Sequence, residues 1–298
     1  MFGLFGKKKA QSPEEQLNSC QAKRDWPGLS RAYYDLGVAS MEEGNLEKAV
    51  LWLHRADTIY SAMDNVYEKL GEAITDDCSD RIGTLEDSAL IYNDFPELVN
   101  VKADGLSEIQ VRIWGLLSLA RLVKLCDRLS AAPGCEALGK LGWAVDVVFK
   151  TFQEPPTEEE FESLKGLCSQ LYDLGDSPAF WGMGNQIDVP GGAPFQVFDL
   201  NGMMGVHLET EAYLDSHLQM ILAKCQGQEP PKPETGILNC TLLPDYYVRT
   251  DKGSLEDVPQ IKAEMARTQS DHDFLCSEIT WEQIAERLKK YKELDILQ

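Results

Sequence analysis

The densest run of groups able to ligate a metal is His207, Glu209, Glu211, Asp215 and His217. A strand ending at Leu208 puts His207 and Glu209 on one face, but a helix after it need not turn His217 back toward them. The His-x-x-x-His spacing that aims two imidazoles from one helix face at a zinc ion is absent. Asp271-His272-Asp273 could orient an imidazole for general-base work, yet no serine or cysteine nucleophile can be assigned to it, so it reads as a solvated turn. Gly182-Met183-Gly184 lacks the third glycine and the preceding apolar strand of a dinucleotide loop, and no G-x-x-x-x-G-K-S/T phosphate loop occurs. Glu154 to Glu162 carries five carboxylates and no base. That pattern suits the positive N-terminal end of a helix better than a calcium site. His54, between Leu53 and Arg55, reads as solvated or capping. These residues assign no catalytic set, no cofactor and no metal.

The elements that must carry such groups are mostly helices. Ser12-Pro13-Glu14-Glu15 combines an N-cap serine, a proline at the first helical position and a glutamate at the third, the two halves of a capping box. The signal recurs at Ser107-Glu-Ile-Gln110, Thr157-Glu-Glu-Glu160 and Thr280-Trp-Glu-Gln283, each before an apolar stripe at spacing three or four. It predicts helices near 108–130, 158–174 and 281–293. Ile109, Ile113, Leu116, Leu117, Ala120, Val123 and Leu125 leave the first of these little polar face, as in a helix buried among neighbours. Ala131 to Glu136 breaks it, and Leu138 to Phe152 resumes a helical pattern.

Within 31–61, Tyr33, Leu36 and Gly37 lie on a first helix, Gly44-Asn45 forms a turn, and Ala49, Leu53 and Ala56 lie on a second. Gly37 and Ala49 let two helices approach closely, and Gly44 permits the reversal between them. The pattern resembles a tetratricopeptide repeat, and a shift of 34 residues, that family's period, brings Tyr67, Leu70 and Gly71 to the same first-helix positions. The resemblance implies helical hairpins that bind a peptide or protein in a concave groove. A lone hairpin packed into a helical domain is the other reading of the same residues.

From Asp176 onward the punctuation changes. Asp188 to Pro194 is a turn cluster, and Phe195 to Leu208 reads as a hairpin turning at Asn201-Gly202, with Phe195, Val197, Val206 and Leu208 on a buried face and His207 beside Gln196 on the open one. A helix follows with Leu214, Leu218, Ile221, Leu222 and Cys225 on one side, and Gln226 to Pro233 breaks it. Gly236 to Leu243 and Tyr246 to Arg249 read as further strands. The fold class expected is α+β and predominantly helical, with tetratricopeptide-like antiparallel hairpins followed by a smaller α+β module with an antiparallel sheet. The division expected is a disordered tail at 1–11, a helical domain at 12–175 and the α+β module at 176–298.

Charge narrows the partners. Lys and Arg number 28 against 49 Asp and Glu, a net charge of −21, and three of those bases are Lys7, Lys8 and Lys9. Such a field repels phosphate backbones and anionic lipid and attracts basic partners, besides keeping a protein soluble. Nucleic acid is not an expected ligand. The eight cysteines show no close pairing, which suits free buried thiols in a reducing cytoplasm. Met1 to Lys9 runs apolar residues before charges, the reverse of a secretory signal, and one short Phe/Lys tip is too weak for stable membrane association. Two functional classes stand. One is a cytoplasmic interaction module, of an acidic inhibitor or immunity type, that binds a basic protein through residues such as Tyr33, Ser40, Trp52, Tyr67, Trp181, His207, Tyr246 and Tyr247. The other is an enzyme with a pocket in 176–250, around Trp181, His207, Tyr246 and Tyr247.

Overall fold

The computed structural model describes residues 12–61, 72–88, 91–92, 103, 105–177, 180, 205–239, 247–248 and 259–296. Most of these, 78%, are helical. The chain divides into two compact units, Met1–Leu85 and Glu86–Gln298.

In the first unit, α1 (Pro13–Lys23) starts on the predicted capping box. Ser12 Oγ accepts from the Glu15 N–H at 3.2 Å, and the Glu15 carboxylate accepts from the Ser12 N–H at 3.1 Å. Asp25 then caps α2 (Trp26–Glu42) by accepting from the Gly28 N–H at 3.1 Å. Gly44, at φ +73°, reverses the chain in a conformation open to glycine, and Asn45 accepts from the Lys48 N–H as α3 (Leu46–Ser61) begins. The helical hairpin therefore turns where the sequence places it. Tyr33, Leu53 and Ala56 are fully buried and Leu36 is half-buried. Ser30 Oγ donates across the seam to the Ala56 carbonyl at 2.8 Å. A Cβ at Gly37 would lie 2.7 Å from Leu53 Cγ, so the two helices approach as closely as they do because position 37 has no side chain. α4 (Glu72–Ser88) offers Asp77 to the Tyr34 hydroxyl, and Arg81 holds the same carboxylate at 2.6 Å. Tyr67, Leu70 and Gly71, the expected second copy of the pattern, lie outside the described residues.

In the second unit, α5 (Glu108–Arg121) begins at the Ser107 capping box, and every residue from Val111 to Arg121 is buried. It is the axis of the unit, as its near-continuous apolar surface implies. The predicted run to 130 is interrupted at Leu122, and α6 (Val123–Leu129) follows. A 3₁₀ turn, Glu136–Lys140, leads into α7 (Leu141–Thr151), and α8 (Glu158–Asp173) starts on the Thr157 capping box. α9 (Thr210–Gln226), α10 (Pro259–Leu275) and α11 (Trp281–Lys292) complete the described helices of normal length, the last on the Thr280 capping box. α5 packs against α7, α10 and α11, while α8 packs against α9, so helices on both sides of residue 175 share one unit. A Cβ at Gly115 would meet the Tyr213 ring at 2.5 Å, and the Tyr213 hydroxyl donates to the Arg112 carbonyl at 2.7 Å. These contacts clamp α9 to α5.

The expected α+β module is overturned. Gly205–Glu209, read as the second strand of a hairpin, forms a π-helical turn that runs straight into α9. The cause lies in His207, whose ring is buried and bonds through Nδ1 to the Leu171 carbonyl at 3.1 Å, near the end of α8 where helical carbonyls need partners. Asn201-Gly202 and the rest of 195–204 lie outside the described residues. Gly236–Asn239 is a single helical turn with Ile237 and Leu238 buried, in place of a strand. Strand structure among the described residues amounts to Ile91–Tyr92 paired antiparallel with Tyr247–Val248, two residues a side. On α9, Leu222 and Cys225 are exposed, and the buried stripe instead includes Thr210, Tyr213, Leu214, His217, Leu218 and Ile221. None of the seven described cysteines is paired. No described helix is long and apolar enough to cross a membrane.

Replacing Gly37 with leucine should lower stability by about 1–3 kcal/mol through overpacking against Leu53. The same change at Gly83, where an added Cβ meets nothing, should not. Urea midpoints of the two variants check this, and equal midpoints would refute the close-packing account of the seam.

Candidate functional site

Arg121 closes α5 and carries a charge into the core, where a guanidinium loses its water and must find carboxylates. It finds two on α10. Arg121 Nε bonds Glu264 at 2.8 Å, and one Nη bonds Asp271 at 2.5 Å. Its other Nη donates to Ser118 Oγ at 3.2 Å and Thr268 Oγ1 at 3.3 Å. Arg121, Glu264 and Asp271 are buried, as is Thr268. Burial works against the Arg121 cation, but Glu264 and Asp271 beside it raise its pKa. Burial also pushes the Asp271 carboxyl up, against the opposing pull of Arg121, the Tyr291 hydroxyl and Arg287. Tyr291 donates to Asp271 Oδ1 at 2.7 Å, and Arg287 Nε lies 2.7 Å from the same oxygen. Glu264 is shared in turn with Arg267.

Above this cluster a groove of about 610 Å³ opens between α10 and α11. Arg267, Ser270 and Phe274 line one wall, and Arg287, Lys290, Tyr291 and Leu294 line the other. Arg287 lies over the Phe274 ring at 4.5 Å from its centroid and donates to Ser270 Oγ at 2.8 Å. The groove mixes cationic heads with aromatic and aliphatic surface, the mixture that binding sites of roughly 300–1,000 Å³ use.

The residues singled out in the sequence do not converge. Tyr33 is fully buried, stacked on half-buried Trp52 at 5.5 Å, with the Arg55 guanidinium over both rings. Ser40 is buried on α2. His207 sits in the core, its Nε2 in contact with Gly175 where a Cβ would come within 2.7 Å, and Phe180 meets its ring edge-on. It is not on an open face, which corrects the expected placement. Tyr67, Trp181 and Tyr246 lie outside the described residues, as do the side chains of His54 and Tyr247. His217 meets other partners than His207 does, with Nε2 2.6 Å from Thr151 Oγ1 and its ring against Phe152 and Tyr213. Among the described residues no three of His, Cys, Asp and Glu are placed to hold a metal ion.

Asp271-His272-Asp273 was expected as a solvated turn and is instead part of α10, with Asp271 in the ion cluster and His272 against Trp114 at 5.3 Å. The helix escapes a search for apolar stripes because its buried face is polar. Glu264, Thr268, Asp271 and Leu275 follow helical spacing but include a single apolar residue. The signal that could have found it is Arg121 itself, a cation inside an apolar helix that requires acids at helical spacing elsewhere.

Removing Arg121 takes the buried guanidinium from two buried carboxylates and leaves each with one outer arginine, so Arg121→Met should cost about 3–5 kcal/mol, whereas Arg31→Ala, which loses an exposed pair with Asp35, should cost about 0–1 kcal/mol. Denaturant titrations rank the two, and a mild Arg121 variant would mean the cluster does not hold α10.

His217 supplies a pH dependence. Burial first, with the Arg112 and Lys224 cations adding, holds its imidazole down at about 3. The unfolded chain takes up that proton near 6.5 and the folded one does not. Its contribution is therefore full above about pH 6.5 and falls by about 1.4 kcal/mol for each pH unit down to about 3. His217→Gln should flatten that part of the stability profile. An unchanged slope between pH 6.5 and 4.5 would show that His217 is not its source.

Compared with protein-family models, with curated proteins and with solved structures, the chain matches none.

Proposed function

We propose that the protein is an interaction module that holds a basic protein partner on its acidic surface, in the manner of an inhibitor or immunity protein. The observation that carries this reading is an excess of carboxylates left without cations on α8 and α9. Glu211 and Asp215 stand one turn apart on α9, and the Glu211 carboxyl is raised, by burial first and then by Asp215. Glu158, Glu159, Asp173 and Asp215 are exposed and make no ion pair with a described residue. Like charges so placed repel one another, and a cation brought by a partner relieves that repulsion. The tetratricopeptide-like hairpin of α2 and α3 supports an interaction role, and the free thiols support a reducing compartment such as the cytoplasm.

The test is affinity capture on the full chain at about 0.1 M and about 1 M salt, where the Debye length falls from about 10 Å to about 3 Å. A basic protein captured at low salt, released at high salt and retained poorly by the Glu211→Gln/Asp215→Asn double variant is the expected result. An acidic partner, or one indifferent to salt and to the double variant, would overturn the reading.

A further inference from the structure

Five charged side chains form an alternating ladder through the second unit: Arg267, Glu264, Arg121, Asp271 and Arg287. Each carboxylate lies between two guanidiniums, so three cations face two anions and the ladder ends on a cation at both ends. Both end arginines line the groove between α10 and α11. The ladder thus leaves the groove at Arg267, passes through the core and returns to the groove at Arg287 with one positive charge over. Lys290, three residues beyond Arg287, adds a cation that pairs with no described residue. Glu286 is the one carboxylate on the lining.

The end arginines keep donors to spare. A guanidinium has five N–H donors. Arg287 donates Nε–H to the Tyr291 hydroxyl, beside Asp271, and one Nη to Ser270, and Arg267 directs one Nη at Glu264. Phe274, Tyr291, Leu294 and Ala266 add apolar surface to the wall, beside the polar Gln283. This is a positive, partly apolar spot on a chain of net charge −21. A nucleic-acid backbone would carry its further phosphates past the groove into that negative field. A peptide can present one carboxylate beside an apolar side chain and avoid this.

We propose that the α10–α11 groove docks an acidic peptide segment of a partner protein, whose side-chain carboxylate bridges Arg267 and Arg287 and closes the ladder, while a neighbouring aromatic or aliphatic side chain packs on Phe274 and Leu294. Charge complementarity selects the carboxylate, and the planar donor forks of two arginines suit it. The groove is built from other helices than the acidic face of α8 and α9, and the peptide titration tests it without the captured partner or the Glu211/Asp215 double variant.

The probe is the capped pentapeptide acetyl-Ala-Phe-Glu-Leu-Ala-amide, titrated into the full chain at about 0.15 M salt and followed by ¹H–¹⁵N NMR, conditions that screen the repulsion of the chain as a whole beyond about 8 Å. Saturable shifts confined to residues 266–274 and 283–294 are expected, with none from the peptides that carry Gln or Lys in place of Glu. Lys290→Glu, at an exposed position without an ion pair, should keep the fold and weaken binding by about tenfold or more, and Arg267→Gln should act in the same direction. Thermal unfolding of each variant confirms that the fold is kept. No saturable shift up to about 1 mM peptide, equal binding of the Gln peptide, shifts outside the groove, or full binding by a folded Lys290→Glu protein would each overturn the proposal.

Discussion

Arg121 sits at the end of α5 with none of its side chain exposed. A guanidinium stripped of water there is tolerable only if carboxylates and hydroxyls replace the lost hydration, and α10 delivers them at the required spacing. Glu264, Thr268 and Asp271 lie on one face because four and three residues separate them, and Leu275 continues the same face. The docking of α10 is therefore set by charge and hydrogen bonding more than by apolar burial. α11 follows from it, since Tyr291 and Arg287 meet the free oxygen of Asp271. One buried cation thus positions two helices, and the groove between them exists where it does because both are held to the same side chain.

The first unit is organised by the opposite device. Its seam depends on an atom that is missing, the Cβ of Gly37, which leaves room for Leu53. Tyr33 fills the seam beside it and Ser30 ties the two helices through the Ala56 carbonyl. Dispersion and fit act at short range and without direction, so this packing is sensitive to volume and indifferent to pH or salt. The ladder of the second unit instead depends on pH, through the ionisation of its carboxylates, while its buried pairs are little screened by salt.

How much of this could be seen in the sequence follows from that difference. The capping boxes at Ser12, Ser107, Thr157 and Thr280 are local, each linking residues three apart, and each opens a helix in the structure. The Gly44-Asn45 reversal is local too. What local signals do not carry is the partner of a side chain far along the chain. Arg121 lies 143 residues before Glu264 and 150 before Asp271, so α10 cannot be read without knowing that these meet. The π-helical turn at Gly205–Glu209 is a similar case. Val206 favours an extended strand locally and Gly205 disfavours a helix, but the His207 ring bonds the Leu171 carbonyl, 36 residues earlier, from a π-helical turn. Of the candidate site, the acids and bases of the groove were visible as residues, but their assignment to one groove required α10 and α11 to be seen as neighbours.

The charge distribution ties these threads together. In an acidic chain most carboxylates remain on the surface, where water solvates them at little cost. Glu264 and Asp271 are withdrawn from that majority because Arg121 needs them, and their burial draws Arg267 and Arg287 down to their outer oxygens. The cations that gather at the groove are thus a consequence of the core. In a positive spot built in this way both arginines are held by buried acids, and Arg287 also by the Phe274 and Tyr291 rings, so less side-chain freedom remains to be lost on binding. A mobile surface lysine would lose more. The same network that lets a cation enter the core therefore leaves its two terminal arginines pre-arranged at the surface, on a chain that elsewhere presents carboxylates.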